Sequence, residues 1–311
     1  MKTNISSTLS PSPGCDKPVR MRVRHSTCYR YAFPVVLSYN QGWLQPRSEA
    51  GQTCVSHRLR VDPKPRFQAE QVDLFGNRVH YFELLASHTL FRVVSEAVVV
   101  ICPTDYAKRG LQPWEKACYA ALPSGLIRTQ ASYYATPTAM TTPDAEMLDY
   151  ARVSFKPGRI LREAVEELCH RIFTDFKYQG GVTGIDTPLE EIWESRQGVC
   201  QDFAHLALAM LRGLGLPAAY VSGYILTHPV EGQPRLEGAD ASHAWFGVMD
   251  EKGEWLFLDP TNDKWVQTEH IRVALGRDYG DVPPLKGISY GGGAVSPEVA
   301  VDVKRMGEEE M

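Results

Sequence analysis

Gln197-Gly198-Val199-Cys200-Gln201-Asp202-Phe203-Ala204-His205-Leu206-Ala207-Leu208 is the stretch on which the fold turns: a loop passes through a glycine, and an apolar helix begins at a cysteine. The helix runs to about Arg212, where Gly213, Gly215 and Pro217 stop it. Phe203, Leu206, Ala207, Met210, Leu211 and Leu214 make it strongly apolar, so it must be buried, with its first turn inside a cleft. A thiol at a helix N-terminus faces unpaired backbone N–H groups and the positive end of the dipole. Both favour the thiolate, which is the nucleophilic form. Gly198 is read as the residue that lets the chain turn sharply, and Asp202 as a partner of the helix dipole. The other six cysteines, Cys15, Cys28, Cys54, Cys102, Cys118 and Cys169, are read as small hydrophobes.

A reactive cysteine needs a base, and the base needs an orienting group. His205 lies five residues along the same helix, about 140° around its axis from Cys200, and cannot reach it. His170 sits among Glu and Arg on a helix and reads as a surface residue. His25, His57, His80 and His88 fall in a strand-rich first half, and His228 in a Pro- and Gly-containing loop. His243 opens a clean strand and is the best candidate. Residues 242–250 and 254–259 read as a hairpin with Gly253 at its left-handed position. That pairs Asp250 with Glu254 and Trp245 with Asp259, so His243 and Asp259 share one face, diagonally related, with Cα atoms roughly 7–8 Å apart or less. A one-residue slip would separate them. The expected catalytic set is Cys200, His243 and Asp259. One Cys, one His and one Asp are a ligand short of a closed metal site, so no metal and no cofactor is expected. Gly291-Gly292-Gly293 lacks a following Lys-Ser/Thr and reads as a flexible turn, not a phosphate loop.

Around this centre the chain divides. Residues 1–18, rich in Ser, Thr and Pro, read as a disordered tail. Residues 19–105 form a run of short strands: Met21, Val23 and His25 alternate with Arg22, Arg24 and Ser26, and Asp73-Leu74-Phe75-Gly76-Asn77 is a turn between two later strands. That spacing predicts an antiparallel β-sandwich. Residues 106–311 form the second domain. Its expected helices are 113–121, one opened by Thr142-Pro143 and running to Arg152, 157–176 with its Leu161, Val165, Leu168, Ile172, Phe176 stripe, and one opened by a capping box at Thr187-Pro188-Leu189-Glu190. Strands return at 219–226, 242–250, 254–259 and 299–303. Strands, then helices, then strands give an α+β class with two domains.

Of the 311 residues, 43% are hydrophobic and 23% charged, with a formal net charge of -4 and both signs scattered, which fits an ordinary globular chain and argues against nucleic-acid or anionic-membrane partners. Seven cysteines with no Cys-x-x-Cys pair suggest neither a zinc ribbon nor a disulfide scaffold, and a reducing, cytoplasmic compartment is expected. Asn4-Ile5-Ser6 is read as a chance sequon, since residues 1–14 lack the apolar core of a signal peptide.

On Thr187-Pro188-Leu189-Glu190-Glu191, Gly198 to His205, Ser242-His243-Ala244-Trp245 and Asp259-Pro260-Thr261-Asn262, continued by 270–279 and Asp281-Val282-Pro283-Pro284, the chain resembles the transglutaminase-like superfamily, relatives of papain-type enzymes. It is close to a bacterial two-domain branch in which a β domain precedes the core. The resemblance implies an α+β core with a nucleophile helix packed on an antiparallel sheet. It also implies Cys200 as nucleophile, His243 as general base and acid, and Asp259 as its orienter. The implied chemistry is acyl transfer through a thioester on a protein or peptide substrate, resolved by water or by an amine. The sequence shows no device to exclude water, which favours hydrolysis. A non-catalytic binding scaffold is the alternative from another class. Trp193 is too near Cys200 in sequence to stand for the oxyanion-holding tryptophan of crosslinking members, and no Asp-rich calcium loop is present.

Overall fold

The computed structural model describes residues 17–227, 242–293 and 296–307. The tail expectation (up to residue 16), the sequon, Cys15 and the loop bearing His228 lie outside the described residues.

The chain begins with β1 (Val19–Gly42), β2 (Gln52–Asp62), β3 (Phe67–Val72), β4 (Arg78–Leu84) and β5 (His88–Ile101). Alternation sends Met21, Val23 and His25 inward and Arg22 and Arg24 to solvent. The turn at Asp73–Asn77 forms as expected. The Asp73 carboxylate accepts from the Phe75 and Asn77 N–H groups, both at 2.9 Å, and Gly76 takes φ +78. The helical part comprises α1 (Leu126–Ser132), α2 (Ala145–Ser154), α3 (Leu161–Asp175), β6 (Lys177–Tyr178), α4 (Leu189–Ser195), β7 (Gln197–Gly198) and α5 (Cys200–Gly213). Then come β8 (Ala218–Ile225), β9 (Ser242–Met249), β10 (Trp255–Asp259), β11 (Lys264–Trp265), β12 (His270–Gly276), β13 (Leu285–Gly291) and β14 (Glu298–Arg305).

The first sheet runs β2-β5-β1-β4-β3, with β13 and β14 also paired to β1. The first half of β1 lies between β5 and β14, and its second half between β4 and β13, with a register shift between Arg30 and Val35. One long strand is thus shared by every neighbour. The result is a curled antiparallel sheet of seven strands that folds over on itself, setting β4 against β2 and β5: His57 and His80 lie 5.1 Å apart and Phe82 and Phe91 6.0 Å apart, ring centre to ring centre. β13 and β14 also show that the second unit, expected as 106–311, does not keep its last strands: they close the first sheet. The backbone N–H and C=O groups along the free side of β1 need partners, and the chain's end supplies them.

The second sheet, β11-β10-β9-β8-β12, is antiparallel. α5 packs on β8 and β9, with α2, α3 and α4 around its other sides. Every residue from Asp202 to Arg212 is buried, so the helix is apolar on all sides except at Asp202, His205 and Arg212, whose polar groups are hydrogen-bonded. One core continues from Met21, Val23 and Val99 of the first sheet through Leu208 and Met210 to Phe246 and Leu258. Polar contacts seal the junction. His25 bridges Tyr224 Oη (3.0 Å) and Thr27. Asn77 bonds Leu275 on both backbone groups. Buried Arg272 donates to Glu49 Oε1 at 2.5 Å.

Local expectations shift at helix ends. The 113–121 segment forms two 3-10 turns, Trp114–Lys116 and Tyr119–Ala121. Asp144, not Thr142, caps α2: its Oδ1 accepts from Met147 N–H at 2.7 Å, while the Thr142 hydroxyl donates back to the Thr138 carbonyl. At α4 the capping box is absent, because Thr187 Oγ1 accepts from Gly184 N–H instead. Cys28 and Cys169 are buried thiols and Cys54 and Cys118 half-buried ones, whereas Cys102 is disulfide-bonded, contrary to the expectation of reduced cysteines throughout. No helix among the described residues is long and apolar enough to cross a membrane.

Candidate active site

The approach to Cys200 is held by two short pairings. β6 runs parallel to β7, with Tyr178 opposite Gly198. Gly198 has no positive φ, so its role is not the sharp turn expected. A Cβ there would lie 2.8 Å from Asp202 Oδ2 and 2.9 Å from its Cβ. Glycine is required because the carboxylate of the first helical turn packs against the backbone. That carboxylate accepts from Val199 N–H (2.8 Å) and Thr183 Oγ1 (2.7 Å), fixing the helix start on which Cys200 sits. Burial pushes the Asp202 carboxyl up, against the pull of these two hydrogen bonds.

The β9–β10 hairpin has the expected register. Trp255 pairs with Met249 and Leu258 with Phe246, and Asp250 N–H donates to the Glu254 carbonyl at 2.9 Å. Gly253 takes φ +81. Continued by one residue, this sets Asp259 opposite Trp245 and diagonal to His243. The contact forms: His243 Nε2 lies 2.7 Å from Asp259 Oδ2. His243 is 8% exposed and Asp259 fully buried. With Nε2 committed to the carboxylate, Nδ1 is the ring nitrogen left for the Cys200 thiol, which also hydrogen-bonds His243. Burial opposes protonation of this ring, but the hydrogen bonds to Asp259 and Cys200 and the two negative charges outweigh it and lift its pKa to about 10. The three residues predicted from sequence are therefore brought together.

Two residues of the site were not anticipated. His270 Nε2 lies 3.1 Å from the same Asp259 Oδ2, and Asn262 Nδ2 donates to it at 2.7 Å. Asp259 Oδ1 accepts from Thr261 N–H (3.0 Å) and Asn262 N–H (3.3 Å). Five donors converge on one carboxylate. Burial alone would raise its pKa, but hydrogen bonds from both histidines hold it well below the carboxylate range. Asn262 follows Asp259 by three residues, within reach of a local side-chain turn. The alternation in His270-Ile271-Arg272-Val273-Ala274-Leu275 up to Gly276 was the available signal for β12.

The remaining histidines fall elsewhere. His205 accepts from Tyr279 N–H at 3.1 Å, and burial pushes its pKa down to about 4. His170 is on the surface beside Asp263. Tyr220 and Tyr178 both feel the Cys200 charge, which adds to burial in raising their phenols. Trp193 does not face the thiol chemistry: its indole N–H donates to Glu146, and Arg196 stacks on its ring at 3.7 Å.

Ligand-type atoms of His243, Asp259 and His270 lie within 4.8 Å of one another. A tetrahedral ion with bonds of about 2.0–2.2 Å holds its ligand atoms about 3.3 Å apart. Both Nε2 atoms approach one oxygen more closely than that, at 2.7 and 3.1 Å, so the arrangement is a hydrogen-bonded one.

Comparison with known proteins agrees with this architecture. Residues 21–100 match the bacterial transglutaminase-like N-terminal region, and residues 152–260 the transglutaminase-like superfamily core. An uncharacterized protein of Mycobacterium tuberculosis (strain ATCC 25618 / H37Rv) is 44% identical over 293 residues, covering 91% of this chain and 92% of its own. One from Mycobacterium leprae (strain TN) is 36% identical over 292 residues, covering 92% and 99%. The crystal structure of a candidate cysteine protease from Cytophaga hutchinsonii shares the fold, with a TM-score of 0.72 at 18% identity over 94% of this chain and 92% of that one. The chain belongs to the transglutaminase-like superfamily, in the bacterial branch that carries its own N-terminal β region ahead of the core.

Proposed function

We propose that this protein is a cysteine-dependent enzyme of acyl transfer on amide substrates, with Cys200 as nucleophile, His243 as base and acid, and Asp259 as the group that orients His243. The observation that carries the reading is the 2.7 Å contact between His243 and a fully buried Asp259, with the remaining ring nitrogen turned to a thiol at a helix start. In the first step His243 takes the proton of Cys200. The thiolate attacks the amide carbonyl carbon, and the carbonyl π pair becomes an oxyanion facing the N–H groups of the first turn of α5. The oxyanion re-forms the C=O bond as the C–N bond breaks, and His243 gives its proton to the departing nitrogen. A thioester and ammonia or an amine result. Water, losing a proton to His243, then attacks the thioester and releases the acid and Cys200.

Hydrolysis, as peptidase or deamidase, is the favoured outcome. Attack by a lysine amine would give crosslinking with the same three residues. The substrate is a protein or peptide, and the proposed compartment is the cytoplasm, with the Cys102 disulfide the one observation that weighs against it. The test is mass spectrometry of glutamine-containing peptides incubated with enzyme, with and without a primary amine, against Cys200→Ala. A gain of about one mass unit means deamidation, fragments mean proteolysis, and an amine adduct means transfer. Iodoacetamide labelling separates the scaffold reading: selective alkylation of Cys200 near neutral pH supports the enzyme, and uniformly sluggish thiols overturn it.

A further inference from the structure

We propose that His270 is a neutral positioning residue that sets the proton affinity of His243 by sharing Asp259 with it; this rests on the acyl-transfer reading above. His270 enters from β12, an element separate from the β9–β10 hairpin that carries the other two groups. It is 1% exposed, and its ring packs edge-on against Trp245 with centroids 5.2 Å apart. Nε2 lies 3.1 Å from Asp259 Oδ2, while Nδ1 is buried with no hydrogen-bond partner among the described residues.

That asymmetry fixes the chemical state. Protonating Nδ1 would bury an unpaired N–H, which costs about 1–3 kcal/mol or more. A bare Nδ1 lone pair is the less costly arrangement, so His270 is the neutral tautomer with its hydrogen on Nε2, donating to Asp259. Burial, the largest influence, also favours the neutral ring over the pull of Asp259. The groups facing these two rings are Asp259 and Lys264 around His270, Asp259 and Cys200 around His243, and each ring the other, their centroids 6.4 Å apart. A charged His270 would set two cations against one carboxylate. A neutral donor instead draws off part of the Oδ2 electron density and holds the carboxylate plane, without repelling the imidazolium. Trp245 keeps the ring from turning away, and a Cβ at Gly223 would collide with that indole at 2.4 Å, so the β8–β9 pair is built to admit it.

The consequence is directional. Removing the second donor leaves Oδ2 more basic toward His243, so His243 should bind its proton more tightly and release it to a leaving amine less readily. The test uses the full chain with carbon-13-labelled histidine ring positions, His243 being assigned by His243→Asn. Replacing His270 by Phe keeps a ring against Trp245 and removes the donor, and His270→Gln keeps an N–H. Loss of one hydrogen bond should raise the His243 titration midpoint by about half to one pH unit in His270→Phe. In His270→Gln the midpoint should stay near that of the parent. Equal midpoints in all three folded proteins, or equal shifts in both variants, overturn the proposal. Should neither variant fold, nitrogen-15 spectra of the parent protein still decide. A bare Nδ1 and a protonated Nε2 on His270 from pH 5 to 9 support it, and a charged His270 at pH 7 sinks it. Iodoacetamide labelling of the parent is read in parallel. A sluggish Cys200 defeats the acyl-transfer reading while the histidine spectra still report on His270.

Discussion

Replacing Asp259 by asparagine isolates what the carboxylate does for the proposed thiolate–imidazolium pair. The proton affinity of His243 rises from an ordinary 6.5 to about 10, with burial working the other way. At about 1.36 kcal/mol per pH unit, that is roughly 5 kcal/mol favouring the imidazolium. Asp259 contributes through both its hydrogen bond and its charge, each ahead of the matching contribution of Cys200, and losing one hydrogen bond to a charged group costs about 2–3 kcal/mol. The amide also cannot satisfy the five donors now facing it. With its oxygen at the Oδ2 position, its NH2 meets the Thr261 and Asn262 N–H groups; turned round, it meets Asn262 Nδ2 and the Nε2 atoms of His243 and His270. The second orientation would favour the His243 tautomer with hydrogen on Nδ1, which cannot take the proton of Cys200. Cys200 alkylation by iodoacetamide at pH 7 should slow by about 30–100-fold, since each 1.4 kcal/mol is a factor of ten. The assay is the rate of carboxamidomethylation measured by mass spectrometry from pH 5 to 9, with folding checked by circular dichroism. A folded variant that reacts within about threefold of the parent at every pH would refute the idea that Asp259 sustains the pair.

Other perturbations read the scaffold. His25 is buried and held neutral, with a pKa pushed down to about 4 by burial, so folding loses stability as pH falls from 6.5 toward 4; about 3 kcal/mol is at stake, and His25→Gln should flatten the pH dependence of the urea midpoint over that window. Glu49→Ala strands the buried Arg272 guanidinium at the junction of the two sheets and should cost about 3–5 kcal/mol, lowering the calorimetric midpoint by about 5–8 °C; a shift under about 1 °C would show the pair to be dispensable. Gly198→Ala forces the Asp202 carboxylate off the Val199 N–H and should cost about 1–2 kcal/mol while slowing Cys200 alkylation; unchanged alkylation would detach the helix cap from thiol reactivity.

What could be read ahead of the structure was whatever one segment dictates for itself. The apolar positions after Cys200 required a buried helix, and the β9–β10 register followed from a short loop with glycine at its left-handed position. A helix start is ambiguous in sequence where two polar residues compete for one role. Thr142 and Asp144 both suit a cap, and only the path of the chain decides which side chain meets the orphan N–H groups. The burial of Arg272 and His270 is not legible locally for a related reason. A strand bearing an arginine and a histidine reads as half-exposed, yet every residue of β12 is buried because the first sheet covers it and Glu49 neutralises the guanidinium.

The amino-acid order by itself determined the cysteine at a helix start, the α+β class and the pairing of His243 with Asp259, since each depends on local periodicity and on a hairpin closed within a few residues. Only the tertiary structure decided that β13 and β14 would complete the first sheet and that a second histidine would reach Asp259. Both depend on segments far apart in the chain satisfying one another's buried polar groups, a requirement that no local pattern records.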